Sequence, residues 1–489
     1  MLLTTLLGSA HAFCGAYVAE EGVEVENRHS TIVMARVGNA TTLTMLNDVS
    51  GDPASFGLII PVPSGFDEGN LRLADRDVIE KIEAYTAPRR VSYTCDDFYS
   101  GDIDAAISTK AARAKDHVAD TGLDTGGSAA TSASTSASGC SGSSSGDGSA
   151  WFDDEAWQDT GDADDAAVLD TATGTTVEEE FDLGEYTAFV LSAEDGEGLW
   201  AWLNDNGFRA DVDTAAELAE HVAAGSWFLA LKVDLGRAPR EGEFLSPLQM
   251  GYYAETLGLP IKLGAASSVG VQDLVAIVLA ADDEGRWGIS NYPGFDAPGA
   301  ECMVELDPGR SFYDWYEEQF TEAIDIAADP TAVEGAKLGW ITEYSWGSGK
   351  CDPCTEVGPL EADDAVALGY GDTAWGYRVT RLRLRYTPEG VTQDLALYPT
   401  NLQEDTQLRY VEHAWELESL LPICEHRIPD EPGACYSAEW WARQASEGGA
   451  QVDTNDYSEG CDDPLDEPVG RTLLLLPFLA AWGLRRKFR

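Results

Sequence analysis

The sequence predicts an α+β fold with mixed, largely antiparallel sheets, short amphipathic helices, one long disordered insert and a C-terminal hydrophobic helix. Three observations support this prediction. Runs of β-branched and aromatic residues alternate with short segments of helical periodicity, a long polar stretch interrupts them, and an apolar run lies close to the C-terminus. The 489 residues, 44% of them hydrophobic, are enough for two or three domains with a buried core.

The charge of the chain restricts its partners. With 86 acidic and 31 basic residues, the formal net charge is −55. Such a charge repels phosphate backbones and anionic lipid headgroups, so no nucleic acid partner is expected. The acidity is typical of a solvated surface, and a specific role in cation binding is the alternative.

Residues 1–12 are predicted to be a signal peptide. Four leucines precede Ala10-His-Ala12, which has the small-x-small pattern of a cleavage site. A buried first strand is the alternative interpretation of this segment. Export would place the nine cysteines in a compartment where disulfides persist.

Residues 13–117 are predicted to form the N-terminal part of the α+β domain. Residues 31–37 and 41–46 favour a hairpin, because the intervening Gly38-Asn39 suits positive φ angles. Residues 56–62 are expected to add a third strand to the same antiparallel sheet. Residues 78–85 then have the apolar spacing of a helix.

Residues 118–180 form the predicted disordered insert. Their composition is dominated by Ser, Thr, Gly, Ala and Asp, with very few large aliphatic side chains. A segment of this composition cannot bury enough apolar area to offset its ordering entropy.

Residues 181–330 are predicted to form a central α+β unit. Residues 186–191 favour a strand, and Ser192 is expected to cap a helix that ends at Gly207. A second helix starts near Asp213 and stops at Gly225, before a strand at Trp227–Val233. The predicted order is strand, helix, helix, strand. Residues 274–281 and 312–320 are expected to form a further strand and an aromatic-rich helix.

Several short stretches, in this order along the chain, carry a resemblance to a known family. Together with residues 185–235 they resemble an exported bacterial family known as domain of unknown function 2330, over about residues 13–424. The resemblance implies fold and export, and it implies no site. The stretches are Phe13-Cys-Gly-Ala-Tyr-Val-Ala19, Gly51-Asp-Pro53, Ile60-Pro-Val-Pro63, Tyr85-Thr-Ala-Pro-Arg89, Ser246-Pro-Leu-Gln249, Leu259-Pro-Ile-Lys-Leu-Gly264 and Trp346 with Cys351-Asp-Pro-Cys354.

Residues 331–440 are predicted to form a β-rich C-terminal part. Within it, residues 381–386 alternate strictly, so Arg381, Arg383 and Arg385 share one face of a strand. Two interpretations are open. The arginines pair with neighbouring carboxylates, or they form a patch that binds an anionic ligand.

Cys351-Asp-Pro-Cys354 is the sharpest local motif in the chain. A two-residue spacer suits a structural disulfide, a redox pair or half of a metal site. Flanking glycines indicate a loop, which favours a structural disulfide over a thiolate stabilised by a helix. Possible disulfides elsewhere involve Cys14, Cys95, Cys424 and Cys435.

The C-terminal end is predicted to anchor the protein. An acidic linker at residues 441–470 precedes a hydrophobic anchor at 471–489, in which Leu473 to Leu484 contact the membrane and a basic cluster follows. The basic end predicts a cytoplasmic C-terminus with the bulk of the chain outside. The layout resembles C-terminal sorting tails of the myxobacterial type, although Cys461 lies further from the apolar run than in that type.

Three classes of function are compatible with these patterns. The first is a non-enzymatic, envelope-anchored protein that binds a small ligand or an envelope protein. The second is a thiol-disulfide enzyme that uses Cys351 and Cys354, and the third is a hydrolase without a recognisable motif. We favour the first, with no catalytic residue, cofactor or metal assigned, because no catalytic constellation emerges from the sequence.

Overall fold

A computed structural model describes residues 16–19, 26–50, 56–93, 167–208, 210, 212–234, 237, 245–266, 268, 270–295, 297–298, 302–327, 337–350, 357–371 and 376–417. These residues have mixed α and β content, with several largely antiparallel sheets and few helices, as predicted. The predicted signal peptide, acidic linker and C-terminal helix lie outside the described residues. Among the described helices, none is both long and apolar enough to span a bilayer.

The larger sheet has eight strands, drawn from the N-terminal, central and C-terminal parts of the chain. The strands are β2 (Glu26–Val37), β3 (Ala40–Ser50), β5 (Leu71–Leu73), β11 (Leu248–Tyr253), β13 (Gln272–Ala281), β16 (Leu338–Gly347), β17 (Tyr377–Tyr386) and β19 (Thr406–Gln407). Their order is β19-β16-β17-β13-β2-β3-β11-β5, and only β13 and β2 pair in parallel among them. The β2–β3 hairpin turns at Gly38, whose φ is 59°, as predicted.

The smaller sheet has six strands, all antiparallel. They are β1 (Ala16–Ala19), β4 (Phe56–Val62), β7 (Val168–Asp170), β8 (Thr175–Leu183), β9 (Tyr186–Ala193) and β10 (Trp227–Val233), in the order β1-β4-β10-β9-β8-β7. The prediction that residues 56–62 extend the hairpin sheet is therefore wrong. Ile59 and Ile60 are both buried, on opposite faces of β4: Ile60 lies in the core between the two sheets, and Ile59 lies in the core on the other face of the smaller sheet.

The predicted C-terminal limit of the disordered insert is also wrong. Residues 168–170 and 175–183 form β7 and β8, and β8 pairs with β9 along most of its length. The few apolar side chains here, such as Val177 and Phe181, pack against the core although charged residues separate them. Backbone pairing between the strands stabilises this segment although many of its side chains are polar. The prediction from composition did not take this pairing into account. Residues 118–166 lie outside the described residues.

Helices cover the outer faces of both sheets. The helices are α1 (Arg76–Thr86), α2 (Gly196–Asp205), α3 (Val212–Ala223), α4 (Ile261–Ala266), α5 (Phe312–Ala327) and α6 (Ala362–Ala367). Helices α2, α3 and α4 pack on the smaller sheet, and α1, α5 and α6 pack on the larger one. Asp195 caps α2 by accepting a hydrogen bond from Gly198 N at 2.8 Å. The predicted cap, Ser192, lies within β9 instead.

The largest part of the core lies between the two sheets. Two small sheets are also present, of which the first below contributes to this core and the second packs with α5 in a separate cluster. One contains β12 (Leu257–Leu259), β18 (Leu395–Pro399) and β14 (Trp287–Ile289), and the other contains β15 (Met303–Val304), β20 (Arg409–Glu412) and β6 (Arg89–Val91). Short 3-10 helices at Glu68–Asn70, Asp282–Glu284, Pro388–Gly390 and Trp415–Leu417 complete the described elements.

Candidate functional site

Three of the four arginines of β17, namely Arg381, Arg383 and Arg385, share one face of the strand and are buried there. Leu382 and Leu384, on the other face, pack into the core between the sheets. Arg383 is only 4% exposed, because α5 covers the face from which its side chain projects. A buried guanidinium needs partners of opposite charge, so the contacts of these side chains decide which interpretation of the arginines holds.

Arg383 is bound by carboxylates from two directions. Its Nε and Nη2 donate to Oδ1 and Oδ2 of Asp273 at 3.2 and 2.6 Å, which is a bidentate pair. Its Nη2 also contacts Glu317 of α5, and its Nη1 lies 3.9 Å from Oε1 of Glu343. Arg385 contacts the same Asp273 and Glu317.

Arg381 pairs with Glu343, whose side chain is fully buried. Arg381 Nε lies 2.5 Å from Glu343 Oε2, and the hydroxyl of Tyr316 donates to Oε1 at 2.6 Å. The three arginines thus face the three carboxylates of Asp273, Glu317 and Glu343, and the charges balance. We call these six residues the arginine cluster.

Aromatic rings and electrostatics further fix the arginine cluster. The guanidinium carbons of Arg383 and Arg385 lie 4.5 and 5.0 Å from the ring centre of Phe320. Burial alone would raise the pKa of Asp273, but Arg383 and Arg385 hold that pKa well below its usual range. Burial and then Glu343 raise the pKa of Tyr316 well above its usual value. The geometry is that of pairing with neighbouring carboxylates, and an anionic ligand would have to displace them.

All of the predicted cysteine sites lie outside the described residues. These are Cys351, Cys354, Cys14, Cys95, Cys424 and Cys435. Cys302, which no sequence motif singled out, is disulfide-bonded. Every other cysteine of the chain lies outside the described residues, and so therefore does its partner.

The chain just before Cys351 is held by two buried tyrosines. Tyr85 of α1 donates its hydroxyl to the carbonyl of Lys350, and the hydroxyl of Tyr344 lies 2.7 Å from both that carbonyl and the Tyr85 hydroxyl. Burial raises the pKa of both phenols, which therefore stay protonated donors at neutral pH. Residues 348–350 and 357–361, on either side of the cysteine motif, form turns and irregular structure.

An apolar cleft of about 280 Å³ opens between the two sheets, and we call it the interlayer cleft. Its walls come from β3, β11, β4 and β12 with the following Pro260, so both sheets contribute. The cleft lies beside the end of β4, where Pro61 is aligned with Phe228 of β10 and Pro63 follows the strand. The side chains and backbone that line it are Leu43, Met45, Ile60, Pro61, Val62, Pro63, Met250, Tyr252, Gly258, Leu259 and Pro260.

Three polar residues complete the lining of the interlayer cleft: His221, Ser226 and Asp394. Asp394 Oδ1 accepts a hydrogen bond from the backbone N–H of Lys262, in the first turn of α4, at 3.0 Å. Its Oδ2 lies 3.7 Å from His221 Nε2, which is longer than a hydrogen bond. The cleft is therefore an apolar pocket with a few polar groups, as small-molecule sites usually are.

No pattern in the sequence pointed directly to the interlayer cleft. Two of the stretches that carry the family resemblance, at residues 60–63 and 259–264, contribute facing parts of its lining. The prolines in both stretches can be recognised in the sequence, but the sequence alone could not show that the two stretches lie next to each other in the fold.

The comparisons with known proteins give a family and little else. The family model described as "Uncharacterized protein conserved in bacteria (DUF2330)" matches residues 8–398. No curated protein matches the chain. A crystal structure of a mutated baculovirus P35 after caspase cleavage aligns over 76% of this chain and 99% of that chain, with 9% identity and a TM-score of 0.22. A likeness at that level supports no argument about fold or function.

Proposed function

We propose that this chain, which belongs to the DUF2330 family of uncharacterized bacterial proteins, is an exported, envelope-anchored, non-enzymatic protein that binds a small, largely apolar ligand. The observation that supports binding is the interlayer cleft, with its apolar walls and three polar residues. Its volume of about 280 Å³ corresponds to the small end of ligand pockets. An apolar molecule that enters it would gain the burial energy of its hydrocarbon surface.

Binding is favoured over catalysis because the polar groups of the cleft already have structural tasks. Asp394 holds the first turn of α4, and His221 packs edge-on against Phe228 at 6.5 Å between ring centres. A general base needs to be within hydrogen-bond reach of the group that it activates. The 3.7 Å separation of His221 and Asp394 does not orient the imidazole for that role.

A fluorescent probe tests the binding proposal directly. N-phenyl-1-naphthylamine, a neutral apolar dye, should bind with a fluorescence increase. The Tyr252→Ala variant should weaken the affinity about tenfold, which corresponds to a loss of roughly 1.4 kcal/mol. Tyr253→Ala is the matched control, since Tyr253 is the next residue of β11, is 54% exposed and points away from the cleft. Equal affinities in the two variants, or no binding to the unaltered chain, would contradict the proposal.

The anchoring part of the proposal rests on residues 1–12 and 471–489. Deletion of residues 472–489 should move the protein from the membrane fraction to the soluble fraction, because the apolar run and its basic end are lost. Deletion of residues 443–460, which removes a segment of the same length from the acidic linker, should leave it with the membranes. If the first deletion changed nothing, the tail would not be the anchor.

We further propose that Cys351 and Cys354 are structural rather than redox-active. The turns on both sides of the motif and the hold of Tyr85 on the Lys350 carbonyl support this role. Cys351→Ser should lower the free energy of unfolding by about 2–4 kcal/mol, as expected for a lost disulfide. Cys140→Ser, in the predicted insert, is the control. Insulin-reducing activity that disappears in Cys351→Ser without loss of stability would instead indicate a thiol-disulfide enzyme.

A further inference from the structure

We infer that the ligand of the interlayer cleft is an organic ammonium with a short apolar tail, whose positive head lies against Asp394. This inference rests on the proposed function and specifies the chemistry of the ligand. It follows from the charges around the cleft, from the geometry of Asp394 and from the apolar walls behind it.

The neighbourhood of the cleft has an excess of negative charge. Asp394 lines the cleft. Glu217 and Glu220 of α3 do not line it but lie near Asp394, because both pair with the side chain of Lys262, whose backbone N–H binds Asp394. The nearby cation is Lys262, whose Nζ is 2.9 Å from Glu217 and 2.7 Å from Glu220. Its ammonium is therefore engaged by the glutamates. Three carboxylates and one ammonium leave an excess of two negative charges when His221 is neutral.

Asp394 is placed to receive a cation. Its Oδ1 is fixed by the hydrogen bond from Lys262 N, so the carboxylate does not need to be ordered when a ligand binds. Its side chain is 36% exposed, and Oδ2 is beyond hydrogen-bond distance from His221. An ammonium in the cleft could donate to this oxygen, whereas a carboxylate or phosphate head would meet repulsion.

The depth of the cleft suits hydrocarbon. Behind the mouth the lining is made by aliphatic and thioether side chains, chiefly Leu43, Met45, Ile60, Met250 and Leu259. These side chains offer no charge to a second polar group. A molecule with one polar end is thus a better match than one that is polar throughout.

The whole chain reinforces the local preference. A formal charge of −55 attracts cations and repels anions over distances comparable with the Debye length. Approach of an ammonium is therefore favoured before it reaches Asp394.

Competition among three ligands with the same tail tests the inference. Octylamine, octanol and octanoate are each used to displace N-phenyl-1-naphthylamine from the full chain at neutral pH and low salt. Octylamine should displace the dye at a concentration about two- to fivefold below that required for octanol, the ratio typical of a partly exposed ion pair. Octanoate should be the weakest.

Two variants complete the test. Asp394→Asn keeps an oxygen that can accept from Lys262 N, and it should remove the advantage of octylamine while octanol still competes as before. Asp182→Asn, an exposed carboxylate of β8 that does not line the cleft, should keep the advantage. Equal displacement by octylamine and octanoate, or an advantage that survives in Asp394→Asn, would overturn the inference although the dye still binds. Failure of the dye to bind would instead overturn the proposed function.

Discussion

The arginine cluster and the interlayer cleft lie on opposite faces of the larger sheet and are built by opposite means. The cluster buries three cations and three carboxylates that satisfy one another. The cleft is surrounded by apolar side chains that leave space, with a carboxylate at its mouth. The difference shows that dense charge in a protein interior indicates internal pairing, whereas a ligand site needs unfilled volume and a polar group with remaining capacity.

The largest effect should come from removing the central cation of the cluster. Arg383→Met leaves Asp273 and Glu317 with one guanidinium fewer, and we expect a loss of about 3–5 kcal/mol in the free energy of unfolding, measured with urea. Arg310→Met is the matched control, because Arg310, which lies just before α5, pairs with the exposed Glu318 of α5, and its loss should cost at most about 1 kcal/mol. Similar losses in both variants would remove the distinction between buried and exposed pairs.

The pH dependence should identify Asp273 as an ionised member of the cluster. Its pKa is lower in the folded chain than the usual value of about 3.9, so its stabilisation is complete above that value and is lost as the pH falls through the folded pKa. Asp273→Asn should therefore lower stability by about 3 kcal/mol from neutral pH down to about pH 5, and the difference should narrow below about pH 4. Urea titrations at several pH values measure it. A difference that does not narrow would mean that Asp273 is not charged in the folded state.

A smaller effect is expected from the neutral donor of the cluster. Tyr316→Phe removes the hydroxyl that donates to Glu343, and we expect a loss of about 1–2 kcal/mol, since Arg381 still neutralises the carboxylate. Tyr398→Phe, which makes the same change at an exposed tyrosine of β18, should be close to neutral. A loss as large as that of Arg383→Met would show that hydrogen bonding, and not charge pairing, dominates the cluster.

The smallest effect on stability is expected in the cleft. Met250→Phe adds volume where space exists, so stability should change by less than about 1 kcal/mol while dye binding is lost. Met34→Phe makes the same change in the packed core between the sheets and should cost about 1–3 kcal/mol through overpacking. A smaller loss of stability in Met250→Phe than in Met34→Phe would show that the cleft is unfilled space. Equal losses of stability in the two variants would show that it is not.

Local patterns predicted much of this fold, because the elements that obey a single rule can be recognised from the sequence. The hairpin at Gly38, the strand Trp227–Val233 and the alternation of Arg381 to Tyr386 are examples. The pairing of β4 could not be predicted, because both of its faces are buried and its neighbours come from distant segments. Strand β8 was not predicted because its charged residues gave no strand pattern, although its backbone pairs with β9.

The candidate site was less predictable than the fold. The three arginines were found by alternation, but their partners Asp273, Glu317 and Glu343 come from three separate elements and had no common signal. The interlayer cleft depends on two proline-containing stretches about 200 residues apart that only the tertiary structure brings together.

The parallel contact between β2 and β13 has a consequence for the order of folding. Ser30 is aligned with Leu274, 244 positions later in the chain, while the other neighbour of β2 follows directly after a tight turn. The β2–β3 hairpin can form as soon as it is synthesised, but the free edge of β2 has no partner until β13 has been synthesised. Strand β13 is in turn paired with β17, which follows later in the chain. Because these strand partners are so distant in sequence, the native sheet is expected to form slowly after the chain collapses. We therefore expect refolding in seconds rather than milliseconds, with an early hairpin whose unprotected edge is the part most prone to self-association.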